Sequence, residues 1–177
     1  MELVPFSPIE DSKLPENICG LLLGGGYPEN YARELSCNDS MRQSIARAIQ
    51  ENMPCLAECG GFLYLHDAIT DIDGEEWAMV SVVHATAAYQ GKLQPRFGYI
   101  TLEDGQTGMQ IRGHEFHYYD STDYGQEWTA RKPLSSRHWS CMHKQGNLLA
   151  GFPHLYYASD PGFATEWVQR CRQWRKE

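Results

Sequence analysis

Apolar residues in the first third of the chain form short runs that end at glycine or cysteine, a pattern typical of buried parallel strands. Ile18–Leu23 is one run and ends in Gly24-Gly25-Gly26, and Pro54–Ala57 is a second run that leads into Cys59. Between them, apolar residues recur at helical spacing within Met41–Asn52, at Met41, Ile45, Ala48 and Ile49. The order strand, helix, strand predicts a parallel sheet with a right-handed crossover.

Short strand candidates separated by glycine turns follow from residue 77 onward and predict an antiparallel extension. They are Trp77–Val83, Gly98–Glu103, Met109–Phe116, Glu127–Ala130, Arg137–Met142 and Asn147–Ala150. Lys144–Asn147 suits a hairpin turn. Pro161, preceded by Ser159 and Asp160, suits the first position of a last helix with the apolar stripe Phe163, Trp167, Cys171 and Trp174. Glu2–Phe6 is predicted as a short strand, and Ser7–Asn17 as a loop.

Cys59 stands where the second run stops and Gly60-Gly61 begins. Glycines allow a sharp turn from strand to helix, and such a corner exposes a side chain to the N–H groups of the helix. The helix N-terminus is expected to lower the pKa of the thiol and so to favour the thiolate. Equally, a free cysteine is often a small buried hydrophobe. The local pattern leaves both interpretations open.

Gly24–Gly26 lies at the carboxyl end of a predicted strand, where open α/β sheets bind ligands. Three glycines let backbone N–H groups approach a ligand closely, although a plain tight turn is the simpler interpretation. The spacing and the lysine of a phosphate-binding loop are both absent. A cysteine nucleophile needs a base and fixed N–H donors. His154 is one candidate base, but spacing alone does not select it among the other histidines, His66, His84, His114, His117, His138 and His143.

Composition narrows the class of protein. The chain has 177 residues, of which 42% are apolar, and a formal charge of −8, which argues against a nucleic-acid partner. It has neither a run long enough to span a membrane nor a signal-peptide pattern, so a cytoplasmic protein is expected. Six cysteines sit mostly inside apolar runs and are predicted to be reduced. Cys55 and Cys59 have no second cysteine pair, so no metal site is predicted.

The segments LGGGYPE, AECGG, RGHEFHYY and GFPHLYYAS, in this order, closely resemble the glutaminase domain of cobyrinic acid a,c-diamide synthases. These proteins are class I glutamine amidotransferases, and the resemblance covers nearly all of the single domain 1–177. It implies a flavodoxin-like, three-layer α/β fold with a mixed, mainly parallel sheet and a small antiparallel extension. The stretch RGHEFHYY favours this family over cobyric acid synthases, whose equivalent stretch is more similar to GYEIHMG.

By this resemblance, Cys59 is the nucleophile that attacks the carboxamide of glutamine and releases ammonia through a γ-glutamyl thioester. His154 takes the thiol proton and later activates water. Backbone groups of Gly25, Gly26 and Gly60 form the oxyanion hole. Further substrate contacts are expected from Gly24, Tyr27, Glu115 and His117.

Two positions near the histidine and the cysteine bear on its orientation. Many class I amidotransferases carry a glutamate two residues after the histidine, and that position is Tyr156 here. A Cys–His dyad is therefore expected. Glu58 precedes the nucleophile, but its side chain is expected to point away from Cys59, so it is not assigned to a triad.

The resemblance also implies a context. Family members carry an upstream ATP-dependent synthetase domain, so ATP and Mg²⁺ are expected on that partner and no cofactor is expected in this chain. The glutaminase core would begin one strand and one helix earlier. The sheet is therefore expected to expose an edge, and the chain to self-associate through it. Alternatives are a non-catalytic truncated paralogue, the glutaminase part of a cobyric acid or sirohydrochlorin amidase, or another cysteine hydrolase of the same fold.

Overall fold

A computed structural model describes residues 2–174 and contains three sheets and four α-helices within them. The helices are α1 Ala32–Cys37, α2 Asp39–Gln50, α3 Gly60–Tyr64 and α4 Pro161–Trp174. The strands are β1 Leu21–Leu23, β2 Cys55–Glu58, β3 His66–Thr70, β4 Glu76–Ala78, β5 Val83–Tyr89, β6 Gly98–Asp104, β7 Gln110–Glu115, β8 Tyr119–Ser121, β9 Trp128–Arg131, β10 His138–Cys141, β11 His143–Gln145, β12 Leu148–Gly151 and β13 His154–Leu155.

The central sheet has the order β1-β2-β12-β11. The first three strands are parallel, and β11 joins β12 as an antiparallel hairpin across Gly146. The crossover from β1 to β2 runs through α2, whose N-terminus is capped by the Asn38 side chain accepting from the N–H of Met41. The strand–helix–strand unit predicted from the sequence is confirmed.

Alternating side chains of β2 face two different cores, which makes the central sheet the middle layer. Cys55 and Ala57 pack with the buried face of α2, including Met41 and Ile45. Leu56 faces the opposite way and packs with the second core of Ile100, Leu102, Ile111 and Trp128, against which Phe163 and Trp167 of α4 also pack. The fourth residue of β2, Glu58, therefore belongs to the side of the second core by strand alternation.

The five-stranded sheet that covers this side has the order β10-β9-β6-β7-β13 and is antiparallel throughout. A third sheet, β4-β3-β5-β8, joins the first core, and its β3–β5 pair is parallel. The predicted antiparallel extension is thus confirmed, with one parallel pair inside it. Side chains alternate along the end of β7 and the residues after it: Glu115 and His117 are buried, whereas the rings of His114 and Phe116 stack on each other.

Some local predictions were wrong. Glu2–Phe6 forms no strand, because the nearest strand, β1, pairs only with β2 within residues 2–174. The strand predicted from residue 18 begins at Leu21. Helix α1 and strand β3 were not predicted, since both are short and lie directly beside stronger signals. All six cysteines are free thiols, and no helix in residues 2–174 is long and apolar enough to cross a bilayer.

Candidate active site

Cys59 occupies a strained corner between β2 and α3. Its backbone has φ 49° and ψ −105°, in a region that non-glycine residues rarely adopt. The N–H of Cys59 donates to the carbonyl of Gly151 at 2.8 Å, and its carbonyl accepts from the N–H of Leu63 at 2.9 Å. Strain of this kind is held only where the surrounding structure enforces it, and it clusters at functional sites. The strand-to-helix corner predicted around Cys59 is present.

Two glycine segments meet at this corner. A Cβ on Gly60 would lie 2.5 Å from the carbonyl oxygen of Gly26, and a Cβ on Gly61 would lie 2.2 Å from that of Leu23. The N–H of Gly61 donates to the carbonyl of Gly24 at 3.0 Å. The two backbones can approach this closely because neither residue after Cys59 has a side chain.

The electrostatics of the thiol differ from the sequence prediction. Burial raises the pKa of Cys59 to about 12, and the carboxylates of Glu29, Glu115 and Glu58 add to the rise. A hydrogen bond from the N–H of Gly60 lowers this pKa but does not offset the loss of water. The predicted lowering by a helix N-terminus was wrong because α3 has only five residues and the sulfur is desolvated. A thiol in this setting needs a base at the moment of reaction.

His154 lies at the start of β13 and pairs with His114 of β7. Its ring lies against Gly25, where a Cβ would be 2.3 Å from Cε1 of the imidazole. Burial lowers the pKa of His154, and the nearby His114 and His117 lower it further. The ring is therefore expected to be neutral near pH 7 and able to accept a proton. Through Gly25 the structure brings His154 to the same glycine loop that contacts the Cys59 corner.

Glu58 lies beside His154, and this corrects the sequence analysis. Its Oε2 is 3.9 Å from Nδ1 of His154. Its Oε1 accepts the N–H of Leu155 at 3.2 Å and the hydroxyl of Tyr157 at 2.5 Å. By strand alternation the Glu58 side chain lies on the second-core face of β2, and this is the face over which β13 returns with the histidine. Burial raises the pKa of Glu58, and its two hydrogen bonds oppose the rise.

Glu115 and His117 are interior residues that already have protein partners. Glu115 Oε1 lies 2.9 Å from Nε2 of His117, and Oε2 accepts the indole N–H of Trp139 at 3.2 Å. The His117 ring stacks on Phe152 with 3.7 Å between centroids, and its Nδ1 faces the carbonyl of Tyr119. Arg96 completes the group beside Glu115. These contacts argue against the direct glutamine contacts predicted for the two residues and favour a supporting role beneath the site.

The other predicted residues lie at the rim. Gly24 has open space where a Cβ would stand, and Tyr27 is largely exposed. Tyr156 is two residues after the histidine, where many class I amidotransferases carry a glutamate. It is also exposed, and its side chain offers no carboxylate to the imidazole. Of the three glycines assigned to an oxyanion hole, Gly60 lies against the backbone of Gly26 at the corner, and Gly25 lies against the ring of His154.

Sequence reasoning missed Glu29. One of its carboxylate oxygens is buried without a hydrogen-bond partner, and burial raises the pKa of this acid. It is the carboxylate with the largest effect on the Cys59 thiol. Its place directly after LGGGYP was the available signal, but nothing in the pattern shows that the 3-10 turn Pro28–Tyr31 returns the chain to the cysteine. Among residues 2–174, no three His, Cys, Asp or Glu side chains group as a metal site.

Comparison with known proteins identifies the family. A model of the CobB/CobQ-like glutamine amidotransferase domain matches residues 1–162. The chain belongs to this family. A crystal structure of a glutamine amidotransferase aligns with a TM-score of 0.61 at 18% identity, over 88% of this chain and 80% of that one. That alignment confirms the predicted α/β amidotransferase fold.

Similar full-length proteins are longer than this chain. It is 38% identical over 177 residues to the cobyrinate a,c-diamide synthase of Caldanaerobacter subterraneus subsp. tengcongensis, covering 96% of this chain and 39% of that protein. It is 39% identical over 165 residues to the protein of the same name from Fusobacterium nucleatum, covering 91% and 37%. The amidotransferase domain therefore spans about two fifths of these relatives, and the resemblance found in the sequence motifs is confirmed.

Proposed function

We propose that this glutamine amidotransferase domain hydrolyses glutamine and supplies the ammonia for ATP-dependent amidation of the a- and c-carboxylates of cobyrinic acid, in cobalamin biosynthesis. The observation that carries the proposal is the corner at Cys59, held in a left-handed conformation against the glycine loop that also contacts His154. Such an arrangement supports covalent catalysis by a thiol with an imidazole base.

In the proposed reaction, Nε2 of His154 takes the proton of the Cys59 thiol as the sulfur bonds to the carboxamide carbon of glutamine. The carbonyl oxygen becomes an oxyanion, which the N–H of Gly60 and those of Gly25 and Gly26 would stabilise. Collapse of this intermediate breaks the C–N bond, His154 returns the proton to the leaving nitrogen, and ammonia departs. A γ-glutamyl thioester remains on Cys59.

The second half returns the enzyme to its starting state. His154 takes a proton from water, the hydroxide oxygen bonds to the thioester carbon, and the sulfur leaves and recovers its proton. The products of both halves together are glutamate and ammonia from glutamine and water. The lowered pKa of His154 suits this role, because a neutral ring must be available at each proton abstraction.

We propose that the acceptor is bound by a further part of the assembly, outside the amidotransferase domain. The names of the similar proteins support cobyrinic acid as acceptor, and their greater length leaves room for a synthetase domain that binds ATP and Mg²⁺. We propose that this partner, as a domain or a separate chain, receives the ammonia. The second candidate, a non-catalytic paralogue, is favoured only by the exposed Tyr156 in place of an acid.

A glutamine-like diazo-ketone tests the proposal. It should label Cys59 with one equivalent per chain, detected by peptide mass spectrometry, and Cys59→Ala should abolish the labelling. Cys37→Ala is the matched control, because Cys37 is an exposed thiol on α1 and its loss should change nothing.

Glutaminase assays with and without a synthetase partner complete the test. Ammonia release that requires Cys59 and rises when the partner is present supports the proposal. The chain is instead a non-catalytic paralogue if the diazo-ketone labels only exposed cysteines and no glutamate forms when a complete synthetase is present.

A further inference from the structure

We propose that Glu58 is the positioning residue for His154, so that the orienting carboxylate of this site comes from β2, one residue before the nucleophile. The inference rests on the proposed glutaminase function and names a residue that the family motif leaves without a role. Tyr156, two residues after the histidine, has a phenol exposed to solvent. The role of orienting the imidazole is therefore left to another residue.

The first support is the distance between Glu58 and His154, together with the hydrogen bonds that hold the Glu58 carboxylate in place. Oε2 of Glu58 lies 3.9 Å from Nδ1 of His154, and hydrogen bonds of catalytic groups are often long in the free enzyme and tighten with substrate. The other oxygen is fixed by the N–H of Leu155 and the hydroxyl of Tyr157. Both donors flank Tyr156, so the carboxylate is tied to the same short segment that carries the histidine.

The second support is the way the fold delivers these residues. Glu58 pairs with Gly151 at the end of the parallel β2–β12 ladder. The chain then turns through Phe152 and Pro153, and β13 pairs with β7 of the covering sheet. His154 thus returns over the face of β2 that alternation assigns to Glu58. A carboxylate buried there without partners would be costly, and its two donors hold it in one position.

The chemistry follows from which nitrogen faces the acid. With Nδ1 toward Glu58, the neutral ring carries its proton on Nδ1 and leaves the lone pair of Nε2 for the thiol proton. Once Nε2 is protonated, the carboxylate stabilises the imidazolium. The charged or titratable groups that face the ring are Glu58 from β2 and His114 and His117 from the β7 segment. Glu58 is the acid among them, and its charged carboxylate would oppose the effect of the two histidines.

Glu58→Gln tests this role, because the amide oxygen can still accept from Leu155 and Tyr157 while the amide nitrogen faces His154. We expect the rate of diazo-ketone labelling of Cys59 to fall about ten- to a hundredfold, as for other lost orienting partners. The acid limb of the rate against pH should move to lower pH, since the carboxylate proposed to stabilise the imidazolium is removed. Glu58→Asp, which keeps the charge, should keep the acid limb in place.

The Cys59 thiol provides an internal check, because Glu58→Gln should change its rate of plain alkylation in the opposite direction from its rate of diazo-ketone labelling. Glu58 raises the pKa of Cys59, so removing its charge should make plain alkylation of Cys59 slightly faster. If Glu58→Gln reacts more slowly with the glutamine analogue but is alkylated at an unimpaired rate, the defect lies in His154 and not in the sulfur. Nitrogen-15 NMR of the histidine ring should show the Nδ1–H tautomer in the native chain and its loss in Glu58→Gln.

Asp104→Asn is the matched control. Asp104 is another buried carboxylate, paired with Lys144 on the second core and remote from the cysteine corner. The Asp104→Asn variant should have a lower unfolding midpoint. The rate at which the diazo-ketone labels Cys59, and the pH dependence of that rate, should not change. The positioning role is overturned if Glu58→Gln labels at the native rate, or labels more slowly with an unmoved acid limb and tautomer. A native chain that never labels at Cys59 defeats the proposed function itself, and the inference with it.

Discussion

At the scale of single residues, Cys59 combines a reactive position with a protonated resting state. Burial and three carboxylates hold its pKa near 12, although its backbone is arranged to present the sulfur. The lowered pKa of His154 complements this, because the proposed reaction needs a neutral imidazole to accept the thiol proton. In the proposed reaction, His154 removes the thiol proton only once glutamine is bound, and the protonated resting thiol should resist alkylation and oxidation.

Alkylation of Cys59 by iodoacetamide should follow this chemistry. Because the thiolate is scarce well below the pKa of about 12, the rate at Cys59 should rise roughly tenfold per pH unit between pH 7 and 10. Glu29→Gln removes the carboxylate with the largest effect on this pKa, so it should speed alkylation about two- to fivefold at fixed pH. Peptide-resolved mass spectrometry measures both rates.

Glu34→Gln is the control for that change, since Glu34 is an exposed acid on α1. It should leave the alkylation rate of Cys59 within the experimental error. A plateau of the native rate near pH 7 would contradict the raised pKa and would restore the helix-terminus effect expected from the sequence.

At the scale of elements, the site is assembled from two backbone segments that touch. The loop after β1 contacts the start of α3 through Gly26 and Gly60, and the same loop supports the imidazole through Gly25. Glycine is required at Gly25 and Gly60 because a methyl group would strike a ring or a backbone. The loop therefore sets the distance between the Cys59 corner and the His154 ring.

Gly25→Ala tests the contact with the imidazole. Its methyl group would stand 2.3 Å from Cε1 of His154, so the ring must move while the N–H of residue 25 is kept. Displacing a base by about 1 Å costs roughly a hundredfold in rate, and we expect a loss of that size in Cys59 labelling by the diazo-ketone. Gly24→Ala, where the methyl meets nothing within 4 Å, controls for the altered loop entropy. Equal effects of the two substitutions would show that the contact does not set the geometry.

At the scale of the whole molecule, β1 is an edge strand of the central sheet among the residues that the structure describes. Within residues 2–174, β1 pairs on one side only, with β2, and its Leu22 is 45% exposed. A cleft of about 710 Å³ adjoins this strand and is lined by Leu3, Val4, Phe6, Trp167 and Val168 among others. An exposed strand edge beside apolar side chains is a site where a second chain or a partner domain can add.

On its own, the chain is therefore expected to self-associate through this edge. Sedimentation velocity at several concentrations should show a sedimentation coefficient that rises with concentration, and Leu22→Glu should weaken that rise. Leu134→Glu is the matched control, because Leu134 is almost fully exposed in a turn away from β1. A clean monomer at every concentration would refute the expectation.

Much of the architecture was predictable from local pattern. Helix α2 and strand β2 appeared close to their predicted bounds because each has a strong periodic signal and a clear cap or glycine boundary. The Cys59 corner was visible because two glycines follow an apolar run. Helix α1 and strand β3 were not, since segments of five or six residues carry too few periods to be recognised.

The sequence by itself determined the family, the layered α/β fold and the pairing of a cysteine corner with a glycine loop. These follow from motifs whose spacing is local. Only the tertiary structure decided that burial keeps the thiol protonated, that Glu115 and His117 lie inside, and that Glu58 faces His154. Each of these depends on which strand returns over which face, and desolvation and orientation are properties of that packing, which residue spacing along the chain does not encode.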